Sequence, residues 1–151
     1  MRFFLISSLF TLLPWVLSAP LGVKDKCSKV TVFALQHSKN IGRRKGTFSP
    51  QEEVSFKWEY KGQDLKYISE VGLFNGQTNE FLHSQYRSHP GKSIQDGEMK
   101  FILEVPLCLQ RYDSYYLRVY ASTKDNTICD FKIPNFKISS SSNENYSKCK
   151  L

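Results

Sequence analysis

Two runs within Met99–Ser122 constrain this chain's fold more than any other stretch. Phe101, Leu103 and Val105 recur at every second position of the first run. Tyr115, Leu117, Val119 and Ala121 do the same in the second. Side chains of a strand point alternately to opposite sides, so each run buries one face and wets the other. The remainder of the chain is placed relative to this strand pair.

Going back along the chain, VTVFAL at Val30–Leu35 is β-branched and apolar and predicts a first strand. Gln36–Glu53 reads as a polar loop with Gly42, Gly46 and Pro50. Val54–Tyr60, VSFKWEY, alternates cleanly. Val54, Phe56, Trp58 and Tyr60 face one way and Ser55, Lys57 and Glu59 the other. Lys61–Asp64 is a turn, and Leu65–Asn75 a strand ending in Asn75-Gly76, a hairpin dipeptide. Glu80–Tyr86 returns as a shorter strand. Arg87–Glu98, with Pro90, Gly91 and Gly97, reads as a loop. Ile128–Ile138 closes the fold, interrupted by Pro134, which points to an edge or a bulge. No long stretch has helical periodicity. Six or seven short strands at regular spacing predict an all-β antiparallel sandwich.

The first residues belong to a different class. Arg2, then an apolar run from Phe3 to Leu17, then small residues make a secretory signal with cleavage after Ser18. The run is shorter than the roughly 20 residues that span a bilayer, and Pro14 weakens a helix. The mature chain is then about 133 residues, enough for one domain with a core. It divides into a sandwich over 19–138 and a polar tail over 139–151. No later transmembrane segment is expected. The mature part keeps 20 basic and 14 acidic residues, a net charge of about +6. That excess favours acidic partners such as anionic glycans, cell walls or lipid headgroups, and does not by itself imply nucleic acid. Cys27, Cys108, Cys129 and Cys149 all lie in the mature part. Four cysteines in an exported chain imply two disulfides, with three possible pairings. The wide spacings lack C-x-x-C and argue against zinc. Asn145-Tyr146-Ser147 is the one N-glycosylation sequon.

The order of features is similar to the immunoglobulin-like domain of the fungal Ser-Thr-rich GPI-anchored cell-wall proteins, the group that includes the yeast factors for β-1,6-glucan assembly. The resemblance is carried by Trp58, Leu73, Val105-Pro106, Tyr116-Leu117-Arg118-Val119 and Phe136-Lys137-Ile138. It covers about Val54–Ile138 and implies a free relative without stalk or anchor. Asp113-Ser114-Tyr115 also resembles the tyrosine corner of immunoglobulin-type domains, a phenol at a strand start that bonds back to the preceding loop. The topology of such a sandwich puts Cys27 and Cys129 at one end and Cys108 and Cys149 at the other. Cys108 and Cys129 would be a strand length of about 20 Å apart, beyond the roughly 7 Å that a disulfide spans. The expected pairs are Cys27–Cys129 and Cys108–Cys149.

For chemistry, the sequence offers little that is catalytic. His37, His83 and His89 lie in or beside loops, and no nucleophile, zinc or phosphate-loop motif is present. A secreted ribonuclease would need a histidine and a glutamate converging with a cation, and Glu59 with His83 or His89 and Arg87 could be arranged that way. Two binding candidates remain. Tyr116 and Tyr120 fall on the outward face of their strand beside Arg118, an arrangement that stacks on sugars or anchors a protein unless a loop or a dimer covers it. Arg43, Arg44 and Lys45 form a basic loop suited to an anionic polysaccharide or membrane surface. The expectation is a secreted, extracellular, non-enzymatic module without cofactor or metal, whose partner is a cell-wall polysaccharide or a cell-surface protein. The alternative is a small RNA-acting enzyme or toxin, or a host-directed effector.

Overall fold

The computed structural model describes residues 27–38, 45–139, 147 and 149. The expected signal peptide over 1–18, Arg43, Arg44 and the Asn145 sequon lie outside the described residues. The fold is an all-β sandwich. One sheet has Glu52–Tyr60 (β4) at its centre. Glu98–Leu103 (β7) pairs along one side of it. Val30–Val32 (β1) and Gln36–His37 (β2) pair along the other. The second sheet runs Phe81–Ser93 (β6), Leu65–Asn75 (β5), Tyr115–Thr123 (β8), Ile128–Lys132 (β9). Thr47–Phe48 (β3) and Lys137–Ile138 (β10) form a short parallel pair. With β1 and β2 counted as the two halves of one interrupted strand, three strands face four, the strand order of an immunoglobulin- or fibronectin-III-like sandwich.

The period-2 patterns place the core. Val54, Phe56 and Trp58 of β4 and Tyr115, Leu117, Val119 and Ala121 of β8 are all buried between the sheets. Trp58 also satisfies its indole, Nε1 donating to the Ile94 carbonyl at 2.7 Å. That bond fastens the β6–β7 connection over the core edge. Tyr115 opens β8 as a true corner. Its hydroxyl donates to the Leu109 carbonyl at 2.7 Å and accepts from the Tyr112 amide at 3.0 Å. Tyr115→Phe keeps the packing and strands both backbone groups, so the expected cost is about 2 kcal/mol. Urea unfolding of the two chains checks this.

Cys27 is bonded to Cys129 and Cys108 to Cys149, across 102 and 41 residues of chain. The first bridge ties the lead into β1 to β9 of the opposite sheet.

The structure departs from the sequence reading in four places. The first strand does not run unbroken from Val30 to Leu35. The Phe33 amide still donates to the Lys57 carbonyl at 2.9 Å, Ala34 and Leu35 then leave the ladder, and β2 resumes inside what read as loop. The shift from Val32↔Trp58 to Gln36↔Ser55 sets three residues against two, a β-bulge. The 87–98 loop is instead mostly strand, since β6 runs to Ser93. Pro90 is tolerated there because β6 is an edge strand and owes no amide to a second neighbour. Asn75-Gly76 does mark the hairpin, but not as its central pair. Asn79, with φ 60°, is the left-handed residue. Asn75 Oδ1 accepts from the Gln77 and Thr78 amides, and Gly76 is needed because a Cβ there would strike Ser114. Finally, the closing segment breaks after Lys132. It bridges back to Tyr115 through Phe136 and then joins β3, closing the sandwich side.

Candidate functional site

The outer face of the four-stranded sheet is built from β8 outward. Because Tyr115, Leu117 and Val119 point inward, Tyr116, Arg118 and Tyr120 point out. Register then decides their neighbours. Tyr116 lies opposite Phe74, Arg118 between Gly72 and Lys132, and Tyr120 between Glu70 and Asp130. Phe74 in turn faces Phe81 on the edge strand.

These residues form an aromatic row roofed by cations. Phe74 and Tyr116 stack with centroids 5.2 Å apart, and Phe81 meets Phe74 edge-on at 5.5 Å. The Arg118 guanidinium lies 4.9 Å from the Phe74 centroid, and Lys132 Nζ lies 4.1 Å from that of Tyr116. Such contacts contribute about 0.5–2 kcal/mol each as water is excluded. Arg118 also donates to the Tyr116 hydroxyl at 3.3 Å and faces Asp130 at 3.6 Å. Burial alone would lower the Arg118 pKa, but Tyr116, Tyr120 and Asp130 outweigh it and raise it. The guanidinium is therefore a permanent cation fixed in place. Gly72 leaves room for the row, since a Cβ there would sit 3.0 Å from Phe74 and 3.2 Å from Phe81.

The expected exposed pair of tyrosines is thus corrected. Tyr116 is 0% exposed, because Arg118 and Lys132 cover its ring, and it cannot stack on a ligand. Tyr120 is half-buried. The exposed aromatic of this face is Phe81, 51% accessible, which the sequence reading missed. Nothing in its local sequence singles it out, because its role depends on lying opposite Phe74.

Lys45 is exposed but lies elsewhere, at the rim of a notch on the three-stranded sheet with Lys57 and Lys100. Among the described residues, those singled out from sequence therefore do not converge on one site. Nor do the ribonuclease candidates. Glu59 is on β4, whereas His83, Arg87 and His89 are on β6 of the other sheet, with Arg87 turned to Glu70 at 3.8 Å. The one close histidine–carboxylate contact among the described residues is His37 Nδ1 to Glu52 Oε1 at 2.6 Å. Glu52 also accepts from the Ser49 amide, and the His37 ring packs 4.4 Å from Phe48. This pair fastens β2 to the start of β4. Among the described residues no three His, Cys, Asp or Glu side chains group as a metal site. No described helix is long and apolar enough to cross a membrane.

No protein-family model matches this chain, and no curated protein matches it. The resemblance to fungal cell-wall proteins therefore finds no support there. Among solved structures, the chain is similar to the fibronectin(III)-like modules of Clostridium thermocellum CbhA. The match has 17% identity, covers 72% of this chain and 91% of that one, and has a TM-score of 0.29. Strand order and antiparallel pairing in the two facing sheets make the chain a sandwich whatever its neighbours.

Proposed function

We propose that this chain is an exported, non-enzymatic binding module that engages a cell-wall or cell-surface partner through the outer face of its four-stranded sheet. The observation that carries the reading is Phe81. A half-exposed ring stands at the end of an aromatic row whose next ring, Phe74, is covered by the Arg118 guanidinium. Preorganised groups lose little conformational entropy on binding, and an aromatic anchor beside arginine is the usual centre of a binding hot spot. Two disulfides support residence in an oxidising compartment, as does the amino-terminal signal pattern.

The test uses the mature chain and its Phe81→Ser variant against insoluble β-glucan, chitin and intact cell surfaces. Phe81 is exposed, so the variant should fold as the parent does. Retention should fall about tenfold or more, on whichever of these surfaces holds the parent. Unchanged retention would show that another face binds. RNA cleavage by the parent, abolished in Glu59→Gln, would replace this reading with the enzymatic one.

A further inference from the structure

A second feature lies on the opposite side of the molecule, and it begins with the bulge. Ala34 and Leu35 leave the ladder between β1 and β2. They open a notch of about 580 Å³ on the outer face of the three-stranded sheet. Its rim carries Lys45, Lys57 and Lys100, all exposed. Lys57 lies opposite Glu98 and Lys100 opposite Ser55, so the two lysines are diagonal neighbours about 7 Å apart. None of the three lysines is ion-paired among the described residues, the Glu98 carboxylate included.

The floor differs from the rim. Ser55 points outward from the sheet yet is only 4% exposed. Ser38 and His37 also line the notch, and Ser38 Oγ and His37 Nε2 are buried without a hydrogen-bond partner among the described residues. Buried polar atoms are nearly always satisfied, so orphans beside a notch point to a missing polar occupant.

We propose that this notch binds an acidic polysaccharide, a chain of sugars bearing sulfate or uronate groups. Separate ammonium groups around the rim suit charges repeated along a polymer better than a single phosphate. The hydroxyl-bearing floor suits sugar hydroxyls, which both donate and accept. Glu98 is the one carboxylate in the lining. It turns the ligand's anionic groups toward Lys45 and Lys100. The site is independent of the Phe81 face, and either can fail without the other.

The mature chain is titrated with heparin, with polygalacturonate and with neutral dextran at rising salt. Comparison is with Lys57→Ser/Lys100→Ser, and with Lys61→Ser/Lys66→Ser as an equal loss of charge elsewhere. Exposed lysines make small contributions to stability, so both variants should keep the parent's unfolding midpoint. The parent should bind at least one of the two acidic polymers and not dextran, with affinity falling as salt rises. The Lys57/Lys100 variant should lose about tenfold, and the control variant less than about threefold. Equal losses in the two variants would mean attraction to net charge alone and would overturn the site. So would dextran binding, failure to bind either acidic polymer, or equally tight retention by phosphatidylserine vesicles. Heparin against polygalacturonate then separates sulfate from carboxylate recognition.

Discussion

Replacing Cys27 and Cys129 together by alanine should lower the free energy of unfolding by about 4 kcal/mol, the largest stability change expected for this protein. The bridge spans 102 residues. Closing a loop of about 100 residues in the unfolded chain accounts for roughly 4.7 kcal/mol in the entropic model. Native packing changes little by comparison, because β1 keeps its pairing with β4 from Val30↔Tyr60 to Val32↔Trp58. The variant's unfolded chain is freer and exposes more surface, so its urea m-value should rise as its midpoint falls. Equilibrium urea unfolding reads both quantities. A loss below about 1 kcal/mol with an unchanged m-value would show that strand pairing alone holds β1 and that the unfolded chain gains nothing on release.

Gly91→Ala is the second large effect, expected at about 3 kcal/mol. Gly91 sits in β6 with φ 101°, a region that residues with a Cβ rarely adopt. A Cβ there would also strike the Ile68 carbonyl oxygen, a backbone atom that cannot rotate away. The pairing shifts at this point, from Ile68↔Lys92 to Glu70↔Arg87, so the glycine permits the irregularity that lets β6 continue. Thermal unfolding of Gly91→Ala beside Gly46→Ala separates the two causes. Gly46 also has a positive φ, 78°, but open space around its Cβ position. The Gly46 variant should lose markedly less. Equal losses would mean that backbone strain acts alone and the contact with Ile68 is relieved cheaply.

The same segment shows why part of the fold was illegible. Pro90, Gly91 and Gly97 read as loop because all three normally punctuate strands. Pro90 and Gly91 are compatible with β6 only because it lies at a sheet edge, a fact about neighbours, whereas Gly97 does punctuate, capping the short turn Ile94–Asp96 before β7. The bulge at Phe33–Leu35 was hidden for a related reason. VTVFAL is apolar at every position but Thr31, and one slip of register leaves no trace in such a run. By contrast β4, β5, β7 and β8 were readable within one or two residues. β4, β7 and β8 have an inward face whose burial writes a period of two into the sequence, whereas β5, buried on both faces over Val71–Asn75, was bounded by the turn at Lys61–Asp64 and by Asn75-Gly76.

The candidate site divides similarly. Alternation correctly put Tyr116, Arg118 and Tyr120 on one side of β8. It could not tell an outward ring from an exposed one. Tyr116 is covered by Arg118 of its own strand and by Lys132 of the next, and only the pairing of β8 with β9 reveals that roof. Phe81 and the Lys45–Lys57–Lys100 notch join residues from different strands, so no local pattern marks them.

By itself, then, the sequence determined the class of fold, the inward faces of the main strands and the tyrosine at the corner, because each depends on local periodicity or on a short motif. The tertiary structure decided which outward side chains meet, which are roofed over and where the first strand bulges. Those outcomes depend on register between strands distant in the chain, where a single residue of slip changes every neighbour.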